Sequence, residues 1–321
     1  MTVTADQVTR FHDTFRVLVE NVEHVVLGKR HVIELAFTAM VSQGHLLLED
    51  YPGTGKTSLA RAMGQSVEGA SSRIQFTPDL LPGDVTGITV YDQKRGEFEF
   101  HRGPVFANIV LADEINRASP KTQSALLEVM EEGHVTIDGV TRPVGQPFLV
   151  VATQNPIEQA GTYRLPEAQL DRFLIKASLG YPDHAATLRI LEGTATERVE
   201  LSPVVSLDGI RGMSALARDV YVSPVVLDYI ARVVDATRAA VEVRLGVSVR
   251  GAIALTRASK TWAIAHGRGF VTPDDVKALA EAVLAHRLVL DPEAEFDGVT
   301  ARAVIGQVLL DVAPPTQREA P

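Results

Sequence analysis

Residues 46–57 read Leu46-Leu47-Leu48-Glu49-Asp50-Tyr51-Pro52-Gly53-Thr54-Gly55-Lys56-Thr57, an apolar run followed by a turn that closes on Gly-Lys-Thr. A strand that delivers such a turn to the start of a helix aims successive backbone N–H groups at an anion, and the helix N-terminus adds its positive dipole end. In a loop of this kind the segment Asp50-Tyr51-Pro52-Gly53-Thr54-Gly55-Lys56-Thr57-Ser58 cradles a triphosphate. Lys56 reaches the β and γ oxygens, and the Thr57 hydroxyl ligates Mg²⁺. The usual pattern opens on glycine, and Asp50 stands there instead, so the loop's backbone freedom rests on Gly53 and Gly55. The following Ser58-Leu59-Ala60-Arg61-Ala62-Met63 supplies the helix. The chain is expected to bind a nucleotide.

A second apolar run, Ile109-Val110-Leu111-Ala112, delivers Asp113-Glu114 at its end. This is a Walker B pattern: Asp113 to hold Mg²⁺, Glu114 to polarise the water that attacks the γ-phosphate. An acidic pair ending a strand is otherwise a solvated turn, and the P-loop upstream decides between the two. Asn155 ends the next run, Val150-Val151-Ala152-Thr153-Gln154-Asn155. Beside a Walker B strand its amide can orient water and sense the γ-phosphate; alone, it is a turn asparagine ahead of Pro156. Two arginines suit the charge that builds up in phosphoryl transfer. Arg172, in Leu170-Asp171-Arg172-Phe173, is placed to reach a neighbouring subunit's nucleotide, and Arg250, in Val247-Ser248-Val249-Arg250-Gly251, to close over its own. Both roles depend on architecture, since most arginines are surface cations.

The rest of the 321 residues bounds the class. An apolar content of 45% provides for a sizeable core, and the absence of cysteine removes disulfides and thiolate metal sites. A formal net charge of −9 argues against a broad nucleic-acid surface. No run reaches the roughly 18 apolar residues needed to span a bilayer, and no basic-then-apolar leader opens the chain, so a soluble cytoplasmic protein is expected. Val8, Phe11, Phe15, Leu18 and Val22 recur at helical spacing and read as an amphipathic bracing helix. A second helix reads from Arg30 to Ser42.

Five runs read as buried strands, at 45–48, 73–76, 107–112, 148–153 and 173–179, mostly with helical patterns between them. This is the mark of a doubly wound α/β sheet with a parallel order. Two hairpins interrupt it, one at 88–101 around a Gln93-Lys94-Arg95-Gly96-Glu97 tip and one at 134–144 around Asp138-Gly139. After Tyr181-Pro182 helices take over, with starts at Asp183, at Ser223-Pro224 and at Thr272-Pro273-Asp274-Asp275. A linker is read at 193–203 and a frayed tail at 314–321.

The chain resembles the MoxR family of AAA+ ATPases over about residues 8–310. The resemblance is carried by the P-loop segment and by Gln75-Phe76-Thr77-Pro78-Asp79-Leu80-Leu81-Pro82-Gly83-Asp84-Val85-Thr86-Gly87. Further marks are Gly103-Pro104-Val105-Phe106-Ala107-Asn108, Ala112-Asp113-Glu114-Ile115-Asn116-Arg117-Ala118 and Asn155-Pro156-Ile157-Glu158-Gln159, followed by Leu165-Pro166-Glu167-Ala168-Gln169-Leu170-Asp171-Arg172-Phe173. It implies an AAA+ core with a five-stranded parallel sheet over 1–182, a small all-helical lid over 183–313 and a disordered tail over 314–321. ATP and Mg²⁺ are implied as cofactors, and a ring, usually of six subunits, as the active form. Lys56 and Thr57 match Walker A, Asp113 and Glu114 Walker B, Asn155 sensor 1, Arg172 the arginine finger and Arg250 sensor 2.

One departure is Val247-Ser248-Val249-Arg250, where the family more often has Ala-Ser-Pro-Arg. Asp50 in place of glycine is familiar in the family. The hairpins match the family's insertion within helix 2 and its hairpin before sensor 1, loops that face the pore in related rings. The resemblance implies a chaperone-like maturation factor for protein clients, acting with a separate protein that carries a von Willebrand factor A domain. Nucleic-acid motors and chelatase-like rings are the alternative classes.

Overall fold

The computed structural model describes residues 3–156, 162–182, 184–192 and 201–315. The Ile157-Glu158-Gln159 motif, the helix start at Asp183, most of the 193–203 linker and the tail from residue 316 lie outside the described residues. The chain divides into two compact units, Leu18–Leu165 with Ala177–Arg211, and Met1–Val17 with Pro166–Lys176 and Gly212–Pro321.

The first unit is built on the expected sheet. The five-stranded sheet has the order Ile175–Ala177, Leu46–Glu49, Leu149–Gln154, Ile109–Asp113, Ser71–Gln75. The ladders joining the last four are parallel. Leu46, Leu47, Leu48, Val110, Ala112, Val150 and Val151 are buried, as strands covered on both faces require. In a parallel sheet the strands end together, so their carboxyl ends gather the polar residues that follow each apolar run. Register makes this specific: Gln75 lies beside Asp113, Ala112 beside Ala152, and Leu48 beside Thr153.

Both hairpins form, at Gly87–Asp92 with Glu97–Arg102 and at His134–Ile137 with Val140–Pro143. The second turn carries Asp138 at φ +53° and Gly139 at φ +74°, the left-handed pair that a tight two-residue turn demands. The Arg142 guanidinium sits 4.0 Å over the Phe100 ring and ties one hairpin to the other.

The second unit is helical, with main elements Leu207–Arg218 (in part), Pro224–Ala239, Val249–Ala265, Pro273–Leu284 and Ala301–Asp311. The helix start that the sequence predicts at Thr272-Pro273 forms, with the Thr272 N–H and hydroxyl both donating to Asp275 Oδ2 at 2.8 Å. Ser248 accepts from the Gly251 N–H and starts the Arg250 helix without the family's proline. Helices dominate after residue 183 as expected, but short strands also occur at Val205–Ser206, Val243–Leu245 and Val289–Leu290. Ladders of two or three residues are too short to leave an alternating pattern. No described helix is long and apolar enough to cross a membrane.

His286 lies in this unit beneath the Phe173 backbone, its Nε2–H donating to the Phe173 carbonyl at 3.0 Å. Burial, reinforced by the Arg287 charge, holds its pKa well below the ordinary value near 6.5. The folded protein therefore keeps a neutral imidazole where the unfolded chain takes up a proton. Stability is full above the unfolded value and is lost as pH falls below it, by up to about 1.4 kcal/mol per pH unit. Urea midpoints at pH 7 and pH 5 are expected to differ more for the wild type than for His286→Asn, which keeps an N–H donor and cannot titrate.

Candidate functional site

The P-loop leaves the Leu46–Glu49 strand and enters the Lys56–Ser66 helix through two left-handed glycines, Gly53 at φ +81° and Gly55 at φ +94°. Nothing in the chain lies within 4 Å of where a Cβ would stand at either. The loop is thus open on the side its glycines face. The Lys56 ammonium donates to the carbonyls of Asp50, Tyr51 (3.1 Å) and Gln154 (3.5 Å), so it lies at the carboxyl ends of two neighbouring strands.

Asp113 is the hub of the site. Its Oδ1 accepts from the Thr153 hydroxyl at 2.6 Å, and its Oδ2 from Arg73 Nη2 at 2.8 Å and from the Thr57 hydroxyl at 3.3 Å. A carboxylate and a hydroxyl brought together are the hard oxygen donors that Mg²⁺ takes alongside phosphate and water. The donor set fits that ion, and the open glycine loop with its lysine fits a nucleotide's phosphates.

Glu114 follows in left-handed backbone, φ +57°, and its N–H donates to Thr153 Oγ1 at 2.9 Å. A non-glycine residue in this region costs about 1–3 kcal/mol, and such strain gathers where a side chain must be aimed. Its Oε2 accepts from Gln75 Nε2 at 2.7 Å and from Arg117 Nη1 at 3.0 Å. Gln75 in turn accepts from Arg73 at 2.7 Å, so both acids belong to one hydrogen-bonded chain, Arg117–Glu114–Gln75–Arg73–Asp113. Asn155 is buried at the next strand's end, and its carbonyl accepts from Asn116 Nδ2 at 3.4 Å.

Residues 45–175 match the model of the ATPase family associated with various cellular activities, and residues 235–308 match the AAA lid domain. Chaperone MoxR1 of Mycobacterium tuberculosis is 41% identical over 309 residues, 94% of this chain and 82% of that one. The chain belongs to the MoxR family of AAA+ ATPases. The YeaC protein of Bacillus subtilis is 48% identical over 94% of this chain and 95% of its own. A solved structure of a Cytophaga hutchinsonii protein superposes with a TM-score of 0.90 at 37% identity, covering 97% of this chain and 98% of that one.

In this MoxR-family ATPase, Lys56, Thr57, Asp113, Glu114 and Asn155 stand at the strand ends of one unit, whereas Arg172 and Arg250 belong to the other. Arg250 Nη1 lies 3.6 Å from Asp171 Oδ2, the residue next to Arg172. Asp50, named above among the nucleotide-contacting residues, turns its side chain elsewhere. Oδ2 accepts from Gly180 N at 2.6 Å and Ser178 Oγ at 3.0 Å, and Oδ1 from Tyr51 N at 2.9 Å. It latches the start of the loop to the residues after the last strand. Asp50→Ala would remove a buried carboxylate that accepts three hydrogen bonds and is expected to cost roughly 1–3 kcal/mol, read as a thermal midpoint several degrees lower.

Sequence reasoning passes over Thr153, Arg73 and Gln75 and leaves Arg117 without a role. Thr153 and Gln75 end strands that neighbour the Walker B strand, so the strand order, once known, places both beside the acids.

Proposed function

We propose that this chain binds ATP with Mg²⁺, hydrolyses it at an interface completed by a neighbouring subunit of a ring, and uses the cycle to remodel a protein client. The observation that carries this reading is the convergence of Thr57, Thr153 and Glu114 on Asp113 and its strand end, beside an open, glycine-shaped P-loop. Lys56 would exchange its carbonyl partners for the β and γ oxygens. Thr57 and Asp113 would hold Mg²⁺, which when bound neutralises charge on the phosphates. Glu114 would accept the proton of the attacking water as its oxygen bonds to the γ-phosphorus and the bond to the β-bridging oxygen breaks. Asn155 would orient that water. Arg172 from the neighbour and Arg250 from the same subunit would stabilise the charge that moves onto the leaving group.

The first hairpin supports a protein client over nucleic acid. It exposes Ile88, Tyr91 and Phe98, with the two rings 5.1 Å apart, among three acids (Asp92, Glu97, Glu99) and three bases (Lys94, Arg95, Arg102). Exposed apolar side chains of this kind suit a polypeptide, and the chain's formal net charge of −9 works against a broad nucleic-acid surface. The von Willebrand factor A partner and six-fold ring implied by the resemblance remain part of this proposal.

The deciding experiment is ATP turnover per subunit with Mg²⁺ across a wide range of protein concentration, with sizing at each point. A specific rate that climbs as the assembly forms supports the shared site. A rate that stays constant while the species is monomeric refutes it.

A further inference from the structure

Arg287 is a buried arginine of the helical unit that the proposed reaction does not use. It ends the Ala285–Arg287 turn after the Pro273–Leu284 helix, and its side chain is 3% exposed. Nε donates to Asp171 Oδ1 at 2.8 Å. Nη2 donates to the Phe173 carbonyl at 2.8 Å and to the Asp171 carbonyl at 3.2 Å, and Nη1 donates to the Val283 carbonyl. His286 adds a second donor to the Phe173 carbonyl. One guanidinium therefore holds the two peptide carbonyls on either side of Arg172, together with the side chain that precedes it. The Phe173 ring is fully buried and fixes the far end of the turn.

A buried guanidinium is a costly way to stabilise a core, because the charge gives up its hydration and an apolar residue of similar volume serves as well or better. Its distinctive property is geometric. The rigid planar fork offers five donors at set angles, whereas lysine offers a point charge on a flexible stem. Burial, partly offset by the Asp171 carboxylate, brings the pKa of Arg287 to about 10, so the fork stays charged at neutral pH.

We propose that Arg287 is a positioning residue for Arg172: by clamping the backbone on both sides of Arg172 it sets the direction in which that guanidinium is offered to a neighbouring subunit. Asp171 also forms an ion pair with Arg250, Nη1 to Oδ2 at 3.6 Å, so both arginines meet on one carboxylate. This rests on the reading of Arg172 as a residue acting in trans.

The test separates giving the arginine from receiving it. Arg287→Lys keeps the charge and loses the fork. Its turnover is expected to fall by roughly 100-fold or more, with ATP affinity within a few-fold of wild type, because the P-loop belongs to the other unit. Mixed with Lys56→Ala subunits, which cannot use ATP but carry an intact Arg172 turn, it is expected to regain turnover well above either parent. Mixed with Arg172→Ala subunits it is expected to stay inactive. A merely structural defect would spoil both capacities and give no rescue.

Wild-type turnover in Arg287→Lys, or failed rescue by Lys56→Ala, overturns the proposal. Should Arg287→Lys not fold, Arg287→Met, which keeps similar volume and buries no charge but loses every donor of the fork, takes its place in the same three measurements, and wild-type turnover or failed rescue there overturns the proposal equally. Full turnover in Arg172→Ala would instead sink the trans reading itself, which distinguishes that failure from failure of the clamp.

Discussion

Replacing Glu114 with glutamine is expected to leave nucleotide binding intact and to slow hydrolysis by roughly 10²–10⁴-fold, the range that a positioned general base contributes. The substitution is close to isosteric, and the surroundings tolerate it. Glu114 Oε2 accepts from Gln75 and Arg117, and a glutamine carbonyl oxygen can accept from both in the same place. Its N–H bond to Thr153 is a backbone bond and is untouched. What changes is the ability to take a proton from water. Single-turnover hydrolysis and equilibrium nucleotide binding, measured on the same preparation, check this. Retained turnover would take Glu114 out of the reaction and leave its strained φ of +57° serving only the Arg117–Gln75 chain.

How much of this is legible in the sequence follows from the range of each interaction. The three central strands can be read to within a few residues because a parallel strand buried on both faces leaves an unbroken apolar run, as at Leu46-Leu47-Leu48, whereas Ser71–Gln75 is mostly polar and buries only Ile74. The Asp138-Gly139 turn is legible because its backbone geometry is local. Asp113 and Glu114 are legible because they end such a run. The partners that give them geometry are not: Arg73 is 40 residues from Asp113, and Gln75 is 39 from Glu114. Only the strand order brings those side chains together, and it is set by crossover helices that no local pattern encodes. Arg287 is the extreme case, 116 residues from Asp171 and embedded in an ordinary helix end. The Asp50 latch is hidden differently, since its position is legible and its side-chain direction is not.

Replacing Arg172 with alanine is expected to abolish steady-state hydrolysis, by roughly 10³–10⁵-fold, while ATP still binds. The effect is electrostatic. In a loose transition state, negative charge is spread over the transferring group and the leaving oxygen, and a guanidinium placed there without reorganising is worth several kcal/mol. The Arg172 turn is built for fixed placement: Phe173 is anchored in the core, the Arg172 N–H donates to Gln169, and Arg287 holds the carbonyls before and after it. A surface arginine with no such role would cost within about 0.5 kcal/mol of stability on truncation and leave turnover alone. Mixing Arg172→Ala with Lys56→Ala subunits makes the test specific. Each is inactive by itself, and one supplies an intact P-loop while the other supplies an intact Arg172. Turnover that rises on mixing requires the two residues to meet across a subunit boundary. If the mixture stays as inactive as its parents while still assembling, Arg172 does not act in trans, and the clamp formed by Arg287 would then have to serve the fold of the helical unit alone.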